Sequence, residues 1–126
     1  MPITYHIDAA AGMLFVFGEG VITQSERLAA IRAWMSDHAF RPGLKTLCDF
    51  SAALSAPTLG ELMHIATFIE ERARHIGRKK LAIVTATSQT FGAARQFQLL
   101  APVGPLDVNV FGDRQQAVAW LQQSGG

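Results

Sequence analysis

The sequence has little cysteine: Cys48 is the only one among 126 residues. No intramolecular disulfide can form, and a chain of this length buries enough apolar surface to fold without disulfides or a structural metal. Cys48 lies inside the apolar run 44–50, which predicts a buried and unreactive thiol. A free thiol suits a reducing compartment, so we expect a cytoplasmic protein.

The sequence also lacks long apolar runs and an excess of charge of one sign. A membrane-spanning helix needs about 20 apolar residues, and the first ten residues, MPITYHIDAA, lack the basic start of a secretory signal. Eleven Lys and Arg stand against ten Asp and Glu. We therefore expect neither an integral membrane segment nor a nucleic acid partner.

The motifs that carry chemistry in enzymes are missing as well. There is no HExxH, CxxC or Gly-x-Ser-x-Gly pattern and no glycine-rich phosphate loop. His64 and His75 are eleven residues apart on one predicted helix, about 16 Å along its axis, which is too far to bind one metal. We expect no metal, no cofactor and no catalytic activity.

Apolar periodicity and turn residues predict a single α/β domain with the element order ββαβαβαβα. Strands are predicted at 3–8, 13–17, 44–50, 80–85 and 106–111. Four helices are predicted as well: three begin at the capping residues Thr23, Thr58 and Asp113, and one begins near Thr90. The helix from Thr58 to Ile76 has the strongest periodicity. Strands that alternate with helices favour a mixed, mostly parallel five-stranded sheet, with an antiparallel hairpin at its N-terminal edge.

The same periodicity assigns side chains to the core and bounds the domain. Leu59 begins the predicted core stripe of the helix 58–76, Phe91 is predicted to pack the helix near Thr90, and Trp34 is placed on a helix flank. The domain is predicted to comprise residues 1–122, and 123–126 to form a flexible tail.

Two local patterns accompany this element order. One is the C-terminal stretch FGDRQQAVAWL at 111–121, and the other is the strand ending Asp49-Phe50-Ser51, which is followed by a turn into a helix. The sequence resembles the STAS domains, named for sulfate transporters and anti-sigma-factor antagonists. It is more similar to their SpoIIAA-like branch, which is related to CRAL-TRIO lipid-binding domains. The resemblance implies a STAS-like fold over nearly the whole chain.

The resemblance also implies a role for Thr58. In the antagonist proteins, the turn after this strand ends in an Asp-Ser-Ser-Gly-like run, where a partner kinase phosphorylates a serine at the helix start. Aligned without gaps from Asp49, that run falls on 57–60, with Thr58 as the phosphoacceptor and Gly60 as the glycine. Thr58 and Glu61 also form a capping-box pattern, so the alternative is a helix cap alone.

Ligands of parallel sheets bind beyond the carboxyl ends of the strands. The polar residues expected near this edge, together with Gly60, form the predicted contact rim: Glu19, Asp49, Ser51, Ser55, Gly60, Ser88 and Asp113. Asp49 and Glu19 are most simply solvated loop carboxylates, and the serines turn formers.

The leading hypothesis is a non-catalytic regulatory or protein-interaction module that contacts an unknown protein through residues 51–60, with homodimerisation as an option. The alternative is a small-ligand domain that holds an apolar or anionic metabolite or lipid between the helices from Thr58 and from about Thr90. An enzyme with Asp49 or Glu19 as base ranks third. A deep pocket would favour ligand binding, whereas a closed core would favour interaction, and in so short a chain we expect no large lipid cavity.

Overall fold

A five-stranded mixed sheet forms the centre of the computed structural model, which describes residues 2–100 and 104–123. Its strands are β1 (Ile3–Asp8), β2 (Met13–Gly20), β3 (Lys45–Ala53), β4 (Lys79–Val84) and β5 (Leu106–Phe111). They lie side by side in chain order. β1 pairs antiparallel with β2, and the other three pairings are parallel. The predicted fold class is confirmed.

In the described part of the chain, five helices connect and follow the strands, one more than predicted. They are α1 (Gln24–Met35), α2 (Leu59–Glu71), α3 (Ala73–Ile76), α4 (Ser88–Leu100) and α5 (Arg114–Gln122). The predicted single helix 58–76 is wrong because the backbone leaves the helical region at Arg72, with φ −112° and ψ 21°. The Arg72 guanidinium folds back, donates to the Phe68 carbonyl at 3.0 Å and lies 3.5 Å from the centre of the Phe68 ring.

The helices cover the two faces of the sheet unequally. On one face, which we call the helix face, Leu14, Val16, Leu81 and Ile83 join a core cluster with α1, α2 and α4. On the other face, α5 packs on β3, β4 and β5 through Ala117 and Leu121. The large cluster therefore lies on the helix face.

Three core assignments differ from the prediction. Trp34 was expected on a flank but is only 8% exposed, whereas Leu59 and Phe91 were expected in the core but are 51% and 46% exposed. β3 also begins one residue later and ends three residues later than predicted, so it includes Ser51. Residues 124–126 of the predicted tail 123–126 lie outside the described residues. Within the described residues, no helix is both long and apolar enough to cross a membrane.

Candidate functional site

A cavity of about 150 Å³ lies between the helix face of the sheet and α1, α2 and α4. Its floor on the sheet includes Val16, Cys48, Leu81 and Ile83, and its walls include Ile31 and Trp34 of α1 and Leu62 and Ile65 of α2. Nearly all of the lining surface belongs to carbon atoms. An apolar space of this size accommodates a small aromatic molecule such as benzene.

Small residues account for the empty volume. Ala30 of α1 and Ala93 and Ala94 of α4 lie on the wall, where larger side chains would extend into the space. Gly18 contributes in another way, because any side chain there would clash with the Phe50 ring, which crosses β2 and closes part of the wall. Protein interiors normally fill such gaps, so this cavity is a specific feature of the helix-face packing.

The polar end of the cavity is at the carboxyl edge of the sheet. Arg27, Ser55, Thr85 and Thr90 line the wall there. Most of the partly exposed wall residues, namely Arg27, Phe50, Ser55 and Pro57, lie at this edge, so the cavity opens toward it. The rest of the wall is almost entirely buried, which makes the space a pocket with one polar end.

Arg27 is tied to the protein on several sides. Its guanidinium donates to the Ile22 carbonyl at 3.0 Å and to Gln24 Oε1 at 3.3 Å, and it lies 3.8 Å from Glu61 Oε1. Burial lowers the pKa of Arg27 from its ordinary value, and the nearby Glu61 carboxylate opposes that shift. Arg27 thus fixes the loop before α1 against the start of α2.

Cys48 contributes its side chain to the cavity floor. Burial raises the pKa of the Cys48 thiol to about 12. The thiol is therefore protonated at neutral pH, as predicted for a buried cysteine, and acts as a small apolar wall group.

Thr58 is the N-cap of α2. Its Oγ1 accepts from the Glu61 amide at 3.1 Å, and Glu61 Oε1 accepts from the Thr58 amide at 2.9 Å. The predicted capping box is confirmed in both of its hydrogen bonds. Thr58 is exposed at the carboxyl edge, one residue after the cavity-lining Pro57.

The environment of Asp49 differs from the one predicted for the contact rim. Asp49 lies within β3, as the predicted strand 44–50 implies, but the carboxylate expected to be solvated is only 7% exposed. Asp49 Oδ1 accepts from the Ser51 amide at 3.0 Å and from its hydroxyl at 2.6 Å, while Oδ2 accepts from Arg114 Nη1 at 3.0 Å. Burial favours a higher pKa for Asp49, but the hydrogen bonds from Ser51 and Arg114 outweigh it and keep the pKa below its usual value.

The other rim residues do not converge on one point. Ser55 Oγ accepts from the Ile22 amide at 3.0 Å beside the cavity, and Asp113 caps α5 by accepting from the Gln115 amide at 2.7 Å. Glu19, Gly60 and Ser88 are exposed. Within residues 2–100 and 104–123, no hydrogen bond or ion pair joins Glu19 to Asp49, and no three His, Cys, Asp or Glu side chains form a group suited to a metal.

Exposed apolar side chains collect near the same edge of the sheet. The structure describes seven large apolar side chains as exposed, and five of them lie just after strand ends or in the first two turns of α2 and α4: Val21, Leu54, Leu59, Met63 and Phe91. The Leu54 amide donates to the Gly20 carbonyl, which brings the Val21 and Leu54 segments together. We call these five residues the apolar rim.

The cavity wall was missed by sequence reasoning, apart from the expected location between the helices from Thr58 and Thr90. Arg27 was predicted to face outward, and Ala94 was predicted to pack its helix on the core, which gave no sign of an unfilled space. Small residues where a helix meets a sheet were the signal, since they reduce the volume that fills the interface.

Comparison with known proteins supports the fold. No protein-family model and no curated protein sequence matches the chain. Among solved structures, the chain is similar to an uncharacterised protein of the DUF3478 family with a SpoIIAA-like fold from Shewanella loihica PV-4. The TM-score is 0.61 at 15% sequence identity, and the match covers 94% of this chain and 93% of the other. The predicted SpoIIAA-like fold is therefore confirmed.

Proposed function

We propose that this SpoIIAA-like domain is a non-catalytic binding module that holds a small, largely apolar molecule in the helix-face cavity. The observation that carries the proposal is the 150 Å³ apolar space, which opens at the edge where ligands of parallel sheets bind. Its location between α2 and α4 matches the small-ligand alternative drawn from the sequence. A deep pocket favours that alternative over a module with a closed core.

The chemistry of the wall supports binding without reaction. Its one strongly nucleophilic residue type is the cysteine, and burial keeps the Cys48 thiol protonated by raising its pKa to about 12. Among the described residues, the lining contains no histidine and no carboxylate to act as a general base. The proposal therefore assigns the cavity no catalytic role.

Toluene is a suitable probe, because its ring and methyl group match a small apolar space. Isothermal titration calorimetry of the whole chain is expected to show saturable binding of one toluene per molecule. In the Ala94→Leu variant, the added side chain occupies the cavity and binding is lost. Ala119→Leu is the matched control, because Ala119 is exposed on α5 and its substitution leaves toluene affinity unchanged.

Failure of toluene to bind the folded wild-type protein would refute this function. Equal binding by wild type and Ala94→Leu would also refute it, since the probe would then be bound outside the cavity. Circular dichroism and thermal unfolding establish that each variant is folded before its affinity is compared.

The apolar rim favours a second candidate function, contact with a protein partner at the carboxyl edge. Large exposed apolar patches mark interaction sites, and Leu54 is 74% exposed. A second copy of the chain is the partner that can be tested directly, by sedimentation equilibrium. Self-association that is unchanged in Leu54→Ser, or its absence at high protein concentration, would exclude this rim as a homodimer interface.

A further inference from the structure

The cavity has one hydroxyl group without a hydrogen-bond partner in the described part of the chain, that of Thr85. Thr85 follows β4 and is only 4% exposed. Its backbone amide donates to the Phe111 carbonyl at 2.9 Å, which fixes the position of the residue at the strand end. The side chain belongs to the cavity wall, on the same face of the strand as Leu81 and Ile83.

The other hydroxyl groups on the wall are occupied. Ser55 Oγ accepts from the Ile22 amide at 3.0 Å, and Thr90 Oγ1 donates to the Thr87 carbonyl at 3.2 Å and lies 2.7 Å from Thr87 Oγ1. The Ser55 bond joins the loop after β3 to the residue before the cap of α1, and the Thr90 bonds belong to the turn that begins α4. Neither hydroxyl can bind a ligand without losing one of these bonds.

The Thr85 oxygen also borders open space. Among the described residues, every side-chain nitrogen or oxygen that is sealed from solvent has a hydrogen-bond partner. Thr85 Oγ1 has no partner among the described residues, so it is not sealed, and because Thr85 lines the cavity we place its hydroxyl toward that space. A buried hydroxyl that faces an apolar cavity is a specific binding element, because a ligand group that bonds to it recovers a lost interaction.

We propose that Thr85 selects the ligand of this cavity, and that the ligand is an uncharged apolar molecule with one hydrogen-bonding oxygen, of the alcohol, phenol or ketone class. This inference rests on the proposed function. The threonine hydroxyl both donates and accepts, so it serves an alcohol as well as a carbonyl. A charged head group is disfavoured, because the guanidinium of Arg27 is already bonded to Ile22 and Gln24 and lies near Glu61.

Phenol and toluene test this proposal, since they share a ring and differ in one hydroxyl or methyl group. The experiment measures both dissociation constants by calorimetry for wild type and for Thr85→Val, in which a methyl group replaces the hydroxyl. We expect the variant to bind phenol about 3- to 10-fold more weakly, the usual value of one neutral hydrogen bond. Toluene affinity is expected to stay the same or to increase.

Two further variants separate recognition from general damage. Thr85→Ser keeps a hydroxyl at the position and is expected to retain the wild-type ratio of phenol to toluene affinity. Thr46→Val makes the same chemical change at a buried threonine outside the cavity lining, whose hydroxyl donates to the Leu44 carbonyl. It is expected to lower stability but to leave the affinity ratio unchanged.

The outcomes distinguish the two proposals. Toluene binding with a phenol-to-toluene ratio that is equal in wild type and Thr85→Val overturns the role of Thr85 and leaves the binding function standing. Absence of toluene binding by the folded wild-type protein overturns the binding function itself. A ratio that falls in Thr85→Val and is preserved in Thr85→Ser and Thr46→Val supports both.

Discussion

At the residue scale, Asp49 shows how a distant part of the chain determines the role of a side chain. In sequence it ends an apolar run and resembles a loop carboxylate at the sheet edge. In the structure it is buried within β3, and Arg114, at the start of α5, donates to it from 65 positions away. The ion pair joins the helix to the strand, so we assign Asp49 a structural role on the face opposite the cavity.

The first prediction concerns the pH dependence of this contact. The pKa of folded Asp49 lies below that of the unfolded chain, about 3.9, so the carboxylate stabilises the fold above that pH and loses its effect as pH falls through the folded value. We expect Asp49→Asn to lower the free energy of unfolding by about 1 to 2 kcal/mol at pH 7. In urea titrations the difference from wild type shrinks at pH 3.

Asp107→Asn is the control for this prediction, because Asp107 is exposed on β5. Its effect is expected to stay within about 0.5 kcal/mol, as for most surface substitutions. If Asp49→Asn lowers the free energy of unfolding as much at pH 3 as at pH 7, the carboxylate charge does not contribute to stability.

Sequence patterns predicted the role of a residue correctly where that role depends on its neighbours along the chain. They failed where the role depends on packing in the folded protein. The two capping boxes at Thr23 and Thr58 were readable because both partners lie within four residues. Leu59 and Phe91 were assigned to the core by periodicity, yet both are exposed. Apolar residues in the first turn of a helix can project past the end of the sheet, which periodicity does not register.

At the element scale, α2 depends on its cap and on the end imposed by Arg72. The cap was predicted from four residues, whereas the break at Arg72 was not, because Arg is a good helix former. Phosphorylation of Thr58 stays a prediction, and a phosphate there would lie close to the Glu61 carboxylate, which accepts from the Thr58 amide.

The second prediction tests the cap. Thr58→Ala removes the acceptor of the Glu61 amide, and we expect the free energy of unfolding to fall by about 1 kcal/mol. Thr58→Ser keeps the acceptor and is expected to retain most of the stability. Both are measured by urea denaturation monitored by circular dichroism.

Thr67→Ala is the control on the same helix. Thr67 is exposed in the middle of α2, where alanine has the higher helix propensity, so stability is expected to be unchanged or slightly higher. A loss of stability in Thr67→Ala equal to that in Thr58→Ala would contradict the specific role of the cap.

At the scale of the whole molecule, the sequence was sufficient to predict the sheet, its parallel crossovers and its hairpin edge. Regular alternation of strands and helices allows few other arrangements. The cavity was not predictable in detail. Its volume is the small difference between two large volumes, that of the space between the sheet and three helices and that of the side chains that fill it. Ala93, Ala94 and Gly18 each contribute to that difference, but none reveals it alone.

The location of the probe in a crystal tests the central claim most directly. A toluene-soaked crystal is expected to show one toluene molecule in the helix-face cavity, bordered by Trp34, Cys48 and Ile83. The same soak of Ala94→Leu is expected to show none there. Toluene bound only on the apolar rim, with an unfilled cavity in the wild-type crystal, would contradict the account.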